Sequence, residues 1–306
     1  MQAPPRPPLV LLLVGLLALV ASCGGTAATS HTSRSHPPQA THLSHRPTPS
    51  PQASPPAPKV ILQPGLPTVH VPILMYHYIE QVPPNDPDPT LRAELTVTPR
   101  NFQQQMAWLA ANGYHTITMA QLRGYFQGTN DLPANPVALT FDDGHQDFYT
   151  NALPILQTYH FTATAFVISG FIDDASGASM RRWQVLAISQ AGIEIGAHTF
   201  NHLDLTTLSA TQVQQELGPP KTTLESWIGQ PVLDFAYPAG RYDPSVVTAV
   251  QAAGYQSAVT TRPGTTHDWA GRFTWERQEV VGTESLAAFI QQLGPTDPVE
   301  EVASRG

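Results

Sequence analysis

Leu139-Thr140-Phe141-Asp142-Asp143-Gly144 is the stretch on which the fold turns. With Val137-Ala138 before it, an apolar run ends in two adjacent carboxylates and a glycine. A strand buried on both faces of a parallel sheet reads as such a run. Its C-terminal end is where α/β folds gather their chemistry. Further along comes His198-Thr199-Phe200-Asn201-His202, directly after the strand-like Ile193 to Ala197. Two imidazoles at that spacing reach one metal ion, one aspartate completes a three-ligand site, and the other is free to act as a base. The two segments together point to a metal-dependent hydrolase.

Working outward, strand-like and helix-like segments alternate. Val71 to Tyr76, Tyr114 to Thr118, Thr162 to Ile168, Leu233 to Tyr237 and Gln256 to Thr260 read as strands. Thr98 with Pro99 starts a helix whose face carries Phe102, Met106 and Leu109, and Gly113 stops it. Ser209 with Gln212 is a capping box for another. Helices also run through Ala152 to Tyr159, Trp183 to Ala191, Pro244 to Ala253 and Glu284 to Leu293. Parallel strands covered by helices follow, as a barrel or a doubly wound sheet. Asp142, Asp143, His198 and Pro238 all fall just after strand-like runs.

The chain has 306 residues and a net charge of −8, with 12% charged residues and no basic stripe, which excludes a nucleic-acid surface. Arg6 followed by the apolar run Leu9 to Val20 has the shape of a signal peptide. Val20-Ala21-Ser22-Cys23 resembles a bacterial lipobox, and Cys23 is the one cysteine of the chain. The expected organisation is a lipoprotein signal peptide over 1–22, a disordered Pro/Ser/Thr-rich linker over 23–70, a catalytic domain over 71–293 and a tail over 294–306. The linker is too poor in large apolar groups to offset its ordering entropy. Export, and a membrane anchor through lipid on Cys23, are expected with it.

With no cysteine left in the folded part, metal ligands are His, Asp or Glu, and the set assigned is Asp143, His198 and His202, with Zn2+ expected. Asp142 is the candidate general base. His77, in Leu74-Met75-Tyr76-His77, is the candidate proton donor, with a structural hydrogen bond as an equal alternative on residue type alone. His145 sits near the aspartates and is a candidate lining residue. In Tyr237-Pro238-Ala239-Gly240, a tight turn after a strand, the Ala239 N–H is a candidate oxyanion donor.

Thr140-Phe141-Asp142-Asp143-Gly144, His198-Thr199-Phe200-Asn201-His202 and Tyr237-Pro238-Ala239-Gly240 resemble successive motifs of the polysaccharide deacetylases, the NodB-homology domain of carbohydrate esterase family four. The resemblance covers about Pro72 to Leu293. It implies a distorted (β/α) barrel, a zinc-type ion, and hydrolysis of N-acetyl groups on a GlcNAc-containing polymer. It also implies that Asp142 is the base and that Asp143, His198 and His202 are ligands. Two departures stand out. Many members carry an arginine before the third-motif proline, where this chain has Phe235-Ala236-Tyr237, and no late Leu-x-His is present. Pro72-Ile73-Leu74-Met75-Tyr76-His77 is instead similar to the early segment of a poly-β-1,6-GlcNAc branch, in which that histidine is the acid. Tyr237, Trp269 and Trp275 are candidates to stack on sugar rings. A peptidoglycan or chitin deacetylase, a catalytically silent carbohydrate-binding lipoprotein, and a hydrolase of small amides or esters are the competing readings.

Overall fold

The apolar runs become the staves of one curled sheet. A computed structural model of the protein describes residues 68–294. β1 (Val69–His70) leads into β2 (Ile73–Tyr76), then α1 (Pro89–Leu95), α2 (Pro99–Ala111), β3 (His115–Ile117) and α3 (Met119–Phe126). β4 (Pro136–Phe141), α4 (Leu153–Thr158), β5 (Thr164–Val167), α5 (Arg182–Gln190), β6 (Glu194–Ala197) and α6 (Ala210–Ile228) follow. β7 (Asp234–Ala236), α7 (Pro244–Ala252), β8 (Ser257–Val259), β9 (Thr266–His267), β10 (Gln278–Glu279) and α8 (Leu286–Gln292) complete it.

The strand order is β10-β2-β4-β5-β6-β7-β8, with every pair parallel. β3 pairs with the first half of β4, and β5 with its last two residues. The segment after β8 draws the two edges together. Trp275 bridges Val259 on β8, and three residues later Gln278 pairs with Leu74 on β2. The barrel is therefore closed by a short, irregular seam, which is the distortion the family resemblance implies.

Alternate residues on each strand serve two cores, as the period-two pleat requires. Leu74, Tyr76, Leu139 and Phe141 pack with helix residues such as Phe102, Met106 and Leu109. Ile73, Ala138, Phe166, Ala236 and Val259 form a second cluster with Trp275 on the other face. Phe141 stacks on Tyr76 at 5.1 Å and meets Phe148 edge-on at 4.8 Å, which anchors the strand end that leads into Asp142. Removing the Phe141 ring would cost about 3–5 kcal/mol as a buried cavity.

The caps sit where the sequence places them. Thr98 accepts from Asn101 N–H, and Gln212 accepts from Ser209 N–H at 3.0 Å. The folded part begins earlier than residue 71. Val69 is buried, β1 lies antiparallel on β9, and His70 Nε2 is 2.9 Å from the Leu293 carbonyl. Two residues assigned to the linker thus tie the start of the domain to its end. Among the described residues no helix is long and apolar enough to cross a membrane. The signal segment, Cys23 and nearly all of the linker lie outside the described residues.

Candidate metal centre and active site

Strand register brings the polar residues together. Tyr76 pairs with Phe141, so His77 and Asp142 are the next residues on adjacent strands, and Asp142 N–H donates to the Tyr76 carbonyl at 2.9 Å. Val167 pairs with Ala197, which puts His198 at the same rim. Ala197 pairs with Phe235, and the following Ala236 carbonyl lies 2.7 Å from His198 Nδ1. That contact leaves Nε2 of His198 to face the carboxylates.

Asp143, His198 and His202 each offer one ligand atom, all within 4.8 Å of one another. Asp143 Oδ1 is 3.5 Å from His198 Nε2 and 3.6 Å from His202 Nε2. Zinc bonds of about 2.0–2.1 Å arranged tetrahedrally separate neighbouring ligand atoms by about 3.3 Å. Asp143 Oδ1 is also buried without a hydrogen-bond partner, an expensive state for a carboxylate oxygen unless a cation meets it. The donor set therefore fits a divalent metal. Burial lowers the His198 pKa, and the nearby aspartates only partly offset that, so its imidazole is neutral at pH 7 as a ligand must be. Asp143 (φ +74°), Thr199 (φ +64°) and His202 (φ +58°) hold left-handed backbone, strain that concentrates at functional sites. Buried Glu216 holds the histidine loop by accepting from Phe200 N–H at 3.0 Å, Asn201 N–H at 2.8 Å and the Asn201 amide at 2.9 Å.

Asp142 points elsewhere. Only 3% exposed, it forms a two-pronged ion pair with Arg277, at 2.8 Å from Nη1 and 2.7 Å from Nη2. Arg277 is itself fully buried, and it also donates to the Thr260 carbonyl and Thr140 Oγ1. Burial pushes the Asp142 carboxyl up. Arg277 more than offsets this through charge and hydrogen bonds, with His198 and His77 adding, and the pKa ends below the usual carboxylate range. The sequence reading missed Arg277. The missing arginine of the third motif was the signal, since a buried carboxylate at Asp142 needs a cation from somewhere. The closing seam supplies it. His77 follows Tyr76 just as Asp142 follows Phe141 across the sheet, so it stands at the same strand ends as the aspartates.

His145, the candidate lining residue, contacts the candidate ligand Asp143. Its Nε2 is 3.1 Å from Asp143 Oδ2, and its ring stacks on Tyr78 at 3.7 Å. The Arg92 guanidinium covers the other side of Tyr78, 3.3 Å from the ring centroid, and pairs with Glu80. A column of stacked groups thus holds one oxygen of Asp143 and leaves the other facing His198 and His202. Pro238 is buried. Ala239 is exposed at φ +50°, and the hydrogen bonds inside its turn are donated by Gly240 and Arg241, which leaves the Ala239 N–H out of them.

Two aromatic assignments are corrected. Tyr237 is fully buried, its hydroxyl donating to the Phe273 carbonyl, so its ring is core and not lining. Trp275 is likewise buried, packed near Phe126 and His267. Tyr237 packs with Phe235 and Tyr242 on the helix-facing side, and Trp275 in the cluster on the other face, so packing claims both.

Residues 129–258 match the family described as polysaccharide deacetylase. The Bacillus subtilis protein YxkH, which carries a polysaccharide deacetylase name, is 32% identical over 219 residues, 72% of this chain and 74% of its own. The chain belongs to the polysaccharide deacetylase family. As a family member it is an N-deacetylase of the hydrolase class. The Streptococcus pyogenes deacetylase PplD, solved in complex with acetate, is similar in structure with a TM-score of 0.68 and 32% identity, over 75% of this chain and all of its own. A poly-β-1,6-N-acetyl-D-glucosamine N-deacetylase of Escherichia coli is 31% identical over 121 residues, 35% of this chain but only 18% of its own.

Proposed function

We propose that this deacetylase is metal-dependent and removes N-acetyl groups from a GlcNAc-containing polysaccharide, an exopolysaccharide of the poly-β-1,6-linked kind. The observation that carries this reading is the pairing of a buried, ionised Asp142 with an adjacent three-ligand site, and with His77 at the same strand ends. The early position of His77 and the E. coli relative support the β-1,6 linkage.

Asp143, His198 and His202 would hold the ion, which when bound supplies Lewis acidity to the water and to the acetamide carbonyl. Asp142 takes the proton of the water as it adds to the carbonyl carbon. Its two bonds to Arg277 occupy only part of the lone-pair capacity of a carboxylate. The Ala239 N–H donates to the developing oxyanion. His77 gives its proton to the nitrogen as the C–N bond breaks, releasing acetate and a free amine. The same reading has the chain outside the cytoplasm, tethered by the linker that precedes β1 to a membrane through lipid on Cys23.

The test is acetate release from β-1,6- and β-1,4-linked GlcNAc oligomers, with and without chelator. Chelator-sensitive release favouring the β-1,6 series is expected. Release from β-1,4 oligomers alone would move the assignment to cell-wall glycan or chitin, and no release from either would sink it. For the anchor, Cys23→Ser should move the protein to the soluble fraction, and membrane retention of that variant refutes it.

A further inference from the structure

The loop that carries two of the proposed ligands also holds apolar side chains out into solvent. Phe200 is 41% exposed between His198 and His202, and Leu203, next to His202, is 44% exposed. Phe171, on the loop after β5, is 40% exposed. These two loops are laced together. Ser169 N–H donates to the Thr199 carbonyl at 3.3 Å, and Gly170 N–H to the Phe200 carbonyl at 3.0 Å. A side chain at 170 would strike the Phe200 carbonyl at 2.3 Å and its ring at 3.2 Å, so glycine is required for this approach. The residue after Phe171, Ile172, packs toward Gly144 of the aspartate loop. The three apolar groups therefore belong to one rim beside the metal site.

Single exposed apolar residues need no explanation, but adjacent ones on a fixed backbone do. The Phe200 backbone is fixed at both polar groups, its N–H by Glu216 and its carbonyl by Gly170. Strained residues flank it at Thr199 and His202. A ring held this way loses little conformational freedom when it meets a ligand.

We propose that Phe171, Phe200 and Leu203 form a platform for the sugar units flanking the acetamide that is cleaved, so that the enzyme selects a polymer over a single sugar. This rests on the deacetylase reading above. The occupant is the substrate chain itself. The platform is continuous with the catalytic opening, and the C–H faces of pyranose rings are apolar, which suits neutral aromatic partners. The rim residues carry no charge, so they take acetylated and deacetylated units alike.

The test compares kcat/KM on a GlcNAc dimer and hexamer for the parent protein, Phe171→Ala, Phe200→Ala and Phe200→Tyr, with Leu286→Ala, an exposed apolar residue on α8, as control. The parent and Leu286→Ala should favour the hexamer. Each alanine variant should lower the hexamer-to-dimer ratio by roughly threefold to tenfold, the scale of one aromatic contact. Phe200→Tyr, which keeps a ring, should restore it. Hexamer binding to chelated protein, followed by calorimetry, should weaken in the same order. An active parent whose alanine variants keep the parental ratio and affinity overturns the platform and leaves the deacetylase intact. A parent that releases acetate from neither oligomer overturns both.

Discussion

Replacing Arg277 with methionine removes the guanidinium that pairs with Asp142 inside the barrel. Methionine fills much of the volume, so the change isolates charge from packing. The guanidinium makes two bonds to Asp142, one to Thr140 Oγ1 and one to the Thr260 carbonyl, and both charged groups are buried. Breaking a buried pair from one side leaves an uncompensated charge, at a cost of about 3–5 kcal/mol. The sign with pH follows from Asp142, whose folded pKa lies below its ordinary value. Its contribution to stability is present above about pH 4 and is lost as pH falls through the folded pKa. In Arg277→Met, burial acts without its counterweight and the pKa rises. The deficit should therefore be largest at pH 7 and shrink toward pH 4, as Asp142 becomes neutral in the variant. Urea titrations at both pH values measure it, and the acid limb of the kcat/KM profile should move to higher pH. A loss under about 1 kcal/mol at pH 7, the scale of an exposed pair, with an unmoved acid limb would refute the claim that Arg277 holds Asp142 ionised.

Asp147 is pushed up to about 6, chiefly by burial, while its Oδ2 accepts from Ile79 N–H and its Oδ1 has no partner. Stability should fall as pH rises from about 4 to 6, by about 3 kcal/mol at most. Asp147→Asn should therefore be more stable than the parent at pH 7 and equal to it near pH 4, checked by thermal melts. His145→Ala frees the second oxygen of Asp143 and should weaken metal affinity by about 10–100-fold in competition with a chromogenic chelator, as loss of an outer partner typically does. His77→Ala should keep the metal and lose about 10²–10⁴ in kcat, the range of general acid catalysis, measured by acetate release.

Much of the site was legible because strand ends announce themselves. Val137 to Phe141 and Ile193 to Ala197 are apolar runs broken by aspartate and histidine, and the register then brings those breaks to one rim. His77 was singled out for the same reason, at the end of β2. Arg277 was not, because it lies 135 residues from its partner, in a seam with neither helical nor strand periodicity. Tyr237 and Trp275 were misplaced because an aromatic residue type does not say which side of a closed barrel it faces. The exposed Phe200 sat inside a recognised motif, yet only the burial of Glu216 and the approach of Gly170 show that it is held outward. His145 was noticed through its closeness to the aspartates, while the stack on Tyr78 and Arg92 depends on the fold alone.

The central claim is a division of labour between two adjacent carboxylates. It is tested most directly by measuring bound metal and acetate release on the same preparations of Asp142→Asn and Asp143→Asn. Asp142→Asn should retain one metal per chain and lose acetate release, while Asp143→Asn should lose both. Metal lost from Asp142→Asn, or retained at full affinity by Asp143→Asn, would contradict the assignment of base and ligand.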